Sequence, residues 1–124
     1  MTTITVSPGV ARTALIGLRG GFAAGWVAPA KLIGLFGIDA ASQPDLSYLM
    51  RLFAVREAAL AFLTAASRGP ARTLVLKTGV VVDTLDAVAA VRAGTSKKSP
   101  AKAAALATAA AAAAAALGVA ALRD

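Results

Sequence analysis

The stretch RLFAVREAALAFLTAASRGPARTLVLKTGVVVDTLD, residues 51–86, decides the fold expected for this chain. Two apolar runs meet at Arg68-Gly69-Pro70. Each is long enough to cross a bilayer when the apolar residues next to it are included. Glycine tolerates a positive φ and proline favours the first turn of a helix. The pattern therefore predicts two antiparallel helices joined by a tight turn.

Charged residues interrupt these runs and one further apolar run. Four are cations and three are anions, so the charges nearly balance: Arg19, Arg51, Arg56, Glu57, Lys77, Asp83 and Asp86. A charge at bilayer depth costs several kcal/mol unless it faces a partner or a cavity, so such residues commonly mark a polar centre.

Depth along the two helices predicts which charges meet. Arg56 and Asp83 both lie about 13 residues from the turn, roughly 20 Å along the helix axis. Asp83 and Asp86 share a helix face, and Arg19 is placed to reach the same centre. We expect a buried polar network, whose predicted members are Arg19, Arg51, Arg56, Glu57, Asp83 and Asp86. Arg51 and Lys77 lie nearer helix ends, where long side chains also snorkel to the interface.

Composition favours an integral membrane protein. Of 124 residues, 58% are hydrophobic and 15% are charged, against about 25% charged in a soluble domain. The mean hydropathy is +0.73. The net charge of +7 does not indicate nucleic-acid binding, because the lysines near residue 100 run into the uncharged segment 103–122, whereas DNA-binding tails stay lysine-rich. Basic loops are typical of cytoplasmic membrane faces.

Four apolar segments predict the architecture, an all-α four-transmembrane-helix bundle forming one domain. The expected spans are 10–28, 46–67, 71–91 and 103–122, the last with 14 alanines in 20 residues. Residues 30–38 are too short to span and predict an interfacial helix between the first and second spans. Residues 39–45 predict a polar loop, with Asp45 as the cap of the second span.

The first span carries glycines at every fourth position, namely Gly17, Gly21 and Gly25. A repeated small-xxx-small pattern lets another helix approach closely in lipid, where packing drives association. These residues, called the glycine ridge below, predict a helix-packing surface.

The charged network has three interpretations. Buried ion pairs can simply fix helix register and partner choice. Alternatively, Asp83, Asp86 and Glu57 form a proton or ion pathway, or Arg51 and Arg56 line a headgroup pocket. The chain has no cysteine and no histidine, which excludes thiol chemistry and histidine acid–base catalysis and argues against the usual zinc sites. We expect no enzyme activity, no metal and no cofactor.

Short motifs resemble a family of small four-helix bacterial membrane proteins of unknown function. They are Arg51-Leu-Phe-Ala-Val-Arg56-Glu57, Asp83-Thr-Leu-Asp86 and Trp26-Val-Ala-Pro29, with Ala54 where that family is expected to have glycine. The alanine-rich composition is similar to that of actinobacterial proteins. By analogy, this resemblance implies an accessory subunit of an envelope machine such as a lipid-uptake transporter.

The functional prediction follows from these features. We expect a non-catalytic accessory or stabilising subunit in the cell membrane, multi-pass, in contact with the lipid bilayer and with other membrane-protein subunits, and without a nucleic-acid partner. The alternative is a small oligomeric proton- or ion-coupled transporter or channel that uses Asp83, Asp86 and Glu57.

Overall fold

A computed structural model describes residues 6–97 and 100–123. Those residues form an all-α fold whose α-helices are α1 (Pro8–Ala23), α2 (Pro29–Leu35), α3 (Asp45–Ala66), α4 (Gly69–Thr95) and α5 (Ala101–Ala121). Short 3-10 turns at Ala24–Trp26 and Ala40–Ser42 flank α2. The four predicted spans correspond to α1, α3, α4 and α5, and the predicted interfacial segment corresponds to α2.

Local sequence explains most helix ends. Ser7 caps α1, its hydroxyl accepting a hydrogen bond from Val10 N at 3.2 Å, and Pro8 occupies the first turn. Gly69 adopts φ +59° at the start of α4, the left-handed conformation that glycine tolerates. The predicted turn between the two central helices is therefore confirmed.

The prediction was wrong at the start of α3 and at the end of α4, and the expected polar loop carries a short turn of its own. Asp45 does not cap α3, because it is the first residue of that helix and Pro44 precedes it without a side-chain cap. The expected polar loop contains a 3-10 turn, which Asp39 caps by accepting from Ala41 N at 3.1 Å. Helix α4 continues to Thr95 and includes Arg92 in its last turn, where a cation complements the helix dipole.

Helix α5 packs along α4 and also against α1, which in turn packs along α3. Small residues allow the α4–α5 contact: a Cβ added at Gly94 would lie 2.8 Å from Ala104 Cβ, and one added at Gly118 would lie 2.7 Å from Val80 Cγ2. By contrast, α3 and α4 approach each other closely at few positions beyond their turn. A cleft therefore separates their far ends.

Within the described residues, one helix is long and apolar enough to cross a membrane, namely α5 with 21 residues. Helix α1 has 16 residues, and α3 and α4, with 22 and 27 residues, are longer but interrupted by charges. Buried core helices of soluble proteins and N-terminal signal sequences pass the same test.

Candidate functional site

A buried arginine joins three helices at the centre of the fold. Arg19 of α1 is 2% exposed. Its Nη1 donates to Glu57 Oε2 at 2.9 Å and to Asp83 Oδ1 at 3.1 Å, while its Nη2 donates to Asp83 Oδ2 at 2.6 Å. Both carboxylates are buried too, at 3% exposure each. Because Glu57 lies on α3 and Asp83 on α4, one guanidinium ties α1, α3 and α4 together.

Gly79, one turn before Asp83 on α4, makes room for this guanidinium. A Cβ added at Gly79 would lie 2.9 Å from Arg19 Nη2, closer than side-chain carbons normally approach. Gly79 is therefore part of the site, although its backbone is ordinary helix. No sequence pattern singled it out, since it belongs to no repeat of small residues.

A second, more exposed pair lies beside the first. Arg56 Nη2 donates to Asp86 Oδ2 at 2.5 Å, and Nη1 donates to Oδ1 at 3.4 Å. The two side chains are 39% and 35% exposed. Arg56 Nη2 also lies 3.6 Å from Glu57 Oε1, and its guanidinium stands 5.0 Å from the centre of the Phe53 ring. The two ion pairs therefore form one continuous cluster.

The depth argument chose the wrong carboxylate for Arg56. It matched Arg56 with Asp83, whereas Asp83 pairs with Arg19 and Arg56 pairs with Asp86. Position along the axis does not fix the direction in which a side chain points. Asp83 points towards α1, and Asp86, three residues later, stands beside Arg56 on α3.

Arg51, an expected member of the polar network, lies elsewhere, and so does Lys77, which was expected near a helix end. Arg51 is exposed, and its Nε donates to the carbonyl of Trp26 at 3.1 Å, a free acceptor at the end of the 3-10 turn. Lys77 is exposed on α4 and forms no ion pair within the described part of the chain. Arg51 thus links α3 to the 3-10 turn that follows α1 and takes no part in the carboxylate cluster.

The glycine ridge divides into two parts. Gly25 is buried, and a Cβ there would meet Leu32 at 2.7 Å and Met50 at 3.3 Å. At Gly17 and Gly21 an added Cβ meets no other described part of the chain within 4 Å. The ridge therefore packs internally at one end and is open over the rest of its length.

Two adjoining cavities occupy the cleft between α3 and α4. One, of about 320 Å³, is lined by apolar side chains of α2, α3, α4 and α5. The other, of about 290 Å³, is lined by all five members of the charged cluster. Phe36, Phe53 and Ala107 border both cavities.

The cluster offers oxygen ligands but already uses them. Glu57, Asp83 and Asp86 each present one carboxylate oxygen within 4.8 Å of the others, a spacing compatible with a cation. Arg19 and Arg56 engage these carboxylates, so a metal would have to displace a guanidinium or share the carboxylates with it.

No family model, no curated protein and no solved structure matches this chain.

Proposed function

We propose that the chain is a multi-pass membrane bundle in which α1, α3, α4 and α5 span the bilayer and α2 lies at its surface. The support is an inverted distribution of side chains. Most buried positions hold charged residues, glycines and alanines, and Leu15, Ile33 and Leu76 are the large apolar exceptions. Many more large apolar side chains point outwards from α3 and α4; among them are Leu52, Val55, Phe62, Leu74, Val81 and Leu85. Water disfavours such a surface, and lipid solvates it.

The charged cluster supports the same proposal. In a hydrocarbon core the charges of spanning helices face the interior and pair with one another. Arg19, Glu57 and Asp83 do both. The more exposed pair, Arg56 and Asp86, faces the cleft between the helices, so it lies beside the buried charges and its two members pair with each other.

Within the membrane, we infer a non-catalytic accessory role, with α1 as the docking helix. The observation that carries this inference is the open part of the glycine ridge at Gly17 and Gly21. In lipid, small residues at helical spacing let a second helix approach the backbone, and van der Waals packing then drives association. The resemblance to small four-helix bacterial membrane proteins makes an envelope lipid-uptake machine the proposed host complex.

The test is a matched pair of glycine variants. Gly21→Leu adds bulk to the open ridge, and Gly34→Leu adds the same bulk at an exposed glycine of α2 that also has no neighbour within 4 Å. We expect both variants to insert and fold. Only Gly21→Leu should lose the proteins that co-purify stoichiometrically in mild detergent. Unchanged co-purification by Gly21→Leu would contradict the docking role.

A second candidate function rests on the carboxylates. Glu57, Asp83 and Asp86 stand together beside a cleft, and carboxylates within spanning helices often mark the path of a proton or an ion through a transporter or channel. Its test is reconstitution of the purified chain in liposomes with a pH-sensitive dye inside. A cation- or potential-driven proton flux that Asp86→Asn abolishes would favour this candidate over the accessory role.

A further inference from the structure

A third cavity, of about 220 Å³, lies where α1 and α4 begin and α5 ends. Leu76 and Ala121, both buried, contribute apolar lining, and the polar side chains of the lining are those of Arg12, Arg72 and Thr73. Arg12 and Thr73 each lie four residues after the first residue of their helix, which is about 6 Å along the axis. The cavity therefore lies just inside one end of the bundle.

The lining of this cavity is cationic. Arg12 comes from α1 and Arg72 from α4, and both side chains are partly buried. The carboxylates of the described residues lie in the buried cluster or between α2 and the start of α3, namely at Asp39, Asp45, Glu57, Asp83 and Asp86. Two guanidinium groups thus share one cavity and form no ion pair with the described part of the chain. A cleft lined by one sign of charge concentrates ions of the opposite sign.

The chain holds one of these guanidinium groups in place. Arg72 Nε donates to the carbonyl of Ser67 at 2.9 Å, at the residue that ends α3. This bond uses one of five N–H donors, and the two Nη groups are the ones that bind a phosphate through parallel hydrogen bonds. The start of α4 has no side-chain cap, so its first N–H groups add the positive end of a helix dipole beside the same cavity.

We propose that this cavity binds the phosphate headgroup of an anionic phospholipid. The inference rests on the membrane bundle proposed above, in which a site about 6 Å inside the helix ends lies close to the headgroup layer. Basic pockets between spanning helices are suited to anionic headgroups. Leu74, two residues after Arg72, is 67% exposed, so the acyl chains of a bound lipid meet an apolar surface on α4.

The experiment titrates the chain in mild detergent with dioleoyl phosphatidylglycerol and counts bound lipid by native mass spectrometry. We expect one tightly bound phosphatidylglycerol per chain. Dioleoyl phosphatidylcholine should bind at least roughly tenfold more weakly, because the two arginines repel its choline cation. Equal affinity for the two lipids would overturn the proposal, as would the lack of saturable binding of phosphatidylglycerol.

A soluble competitor distinguishes the lipid from a free phosphate. Glycerol 3-phosphate presents the same phosphate without acyl chains, and it should not displace phosphatidylglycerol at equal concentration. Displacement as effective as that by unlabelled lipid would assign the cavity to a soluble phosphate and overturn the lipid assignment. Single-cysteine labelling, which tests the membrane arrangement, does not depend on occupancy of this cavity, so the two proposals can fail separately.

A pair of arginine variants distinguishes the cavity from diffuse surface charge. Arg12→Gln removes a guanidinium from the lining, whereas Arg68→Gln removes the same charge from an exposed side chain that adjoins the cavity in sequence but does not line it. Loss of a hydrogen bond to a charged group should weaken binding of phosphatidylglycerol by roughly tenfold or more in Arg12→Gln, and Arg68→Gln should bind like the parent chain. Equal losses in both variants would show attraction to the whole basic surface, and the proposal would fail.

A pair of threonine variants tests the cavity without altering a charge. Thr73 and Thr84 are both exposed on α4, and each hydroxyl donates to the carbonyl four residues earlier. Thr73→Leu adds bulk to the lining of the cavity, whereas Thr84→Leu adds it outside. We expect Thr73→Leu to weaken binding of phosphatidylglycerol by about tenfold, equivalent to roughly 1.4 kcal/mol, and Thr84→Leu to leave it unchanged. Equal affinity of the two variants would place the headgroup elsewhere and overturn the proposal.

Discussion

Replacing Arg19 by methionine should be the most destabilising single change among the charged residues. The substitution removes three hydrogen bonds to two buried carboxylates, which lie on different helices. Breaking a buried pair by removing one partner typically costs about 3–5 kcal/mol. Glu57 keeps Arg56 as a neighbouring cation at 3.6 Å. Among the described residues, Asp83 forms an ion pair with Arg19 alone, so it would be left without a cation. We therefore expect a loss in the free energy of unfolding of about 3–5 kcal/mol.

The assay is equilibrium unfolding in mixed micelles with increasing dodecyl sulfate, followed by fluorescence of Trp26, the one tryptophan of the chain. A loss of about 3–5 kcal/mol corresponds to roughly two to nearly four orders of magnitude in the unfolding constant. The matched control is Arg12→Met, two turns earlier on α1. Arg12 forms no ion pair within residues 6–97 and 100–123, so the control should change stability by no more than about 0.5 kcal/mol.

A neutral triple variant separates pairing from charge. Arg19→Met with Glu57→Gln and Asp83→Asn removes the cation and both anions together, so no charge is stranded. Residues that interact show non-additive effects, and the triple variant should be much more stable than Arg19→Met alone. If the triple variant loses the sum of the three single effects, or if Arg19→Met is no worse than Arg12→Met, the three residues do not form an energetic unit.

Two further predictions concern the same cluster. Gly79→Ala should lower the free energy of unfolding by about 1–3 kcal/mol, because the added Cβ would push Arg19 Nη2 out of its hydrogen bond. The control is Gly20→Ala, at an exposed helical glycine with no neighbour within 4 Å, where alanine favours the helix by about 0.5–1 kcal/mol. Thermal unfolding should therefore show opposite signs for the two variants. Arg56→Ala should cost only about 1 kcal/mol, since the Arg56–Asp86 pair is more than one third exposed. A loss from Arg56→Ala as large as that from Arg19→Met in the same micelle titration would show that the second pair is as critical as the buried one.

The sequence predicted the helices well because their signals are local. The Gly69-Pro70 turn, the helical runs around it and the short segment after Trp26 each depend on neighbouring residues, and all were found as helices or turns. The exact ends were less predictable. Asp45 entered α3 as its first residue, and α4 ran on through Arg92, because several polar residues there suit either a helix end or a loop.

The contacts between helices were harder to predict because they depend on rotation and on which helices are neighbours. Helix α1 lies against α3 and brings Arg19 to Asp83, so Arg56 meets Asp86. Spacing found Gly25, which packs closely against Leu32, but it also drew attention to Gly17 and Gly21, which are open. It missed three other glycines that permit close approach, namely Gly79, Gly94 and Gly118. Their importance appears only once the neighbouring atoms are known.

The most direct test of the membrane bundle is single-cysteine labelling, which is clean because the native chain has no cysteine. Cysteines at the exposed positions Ser7, Arg68, Ser42 and Ser96 are treated with an impermeant maleimide on sealed vesicles of one orientation. Four spanning helices predict that Ser7→Cys and Arg68→Cys react from one side of the membrane, and Ser42→Cys and Ser96→Cys only from the other. Labelling of all four positions from the same side would contradict the proposed arrangement.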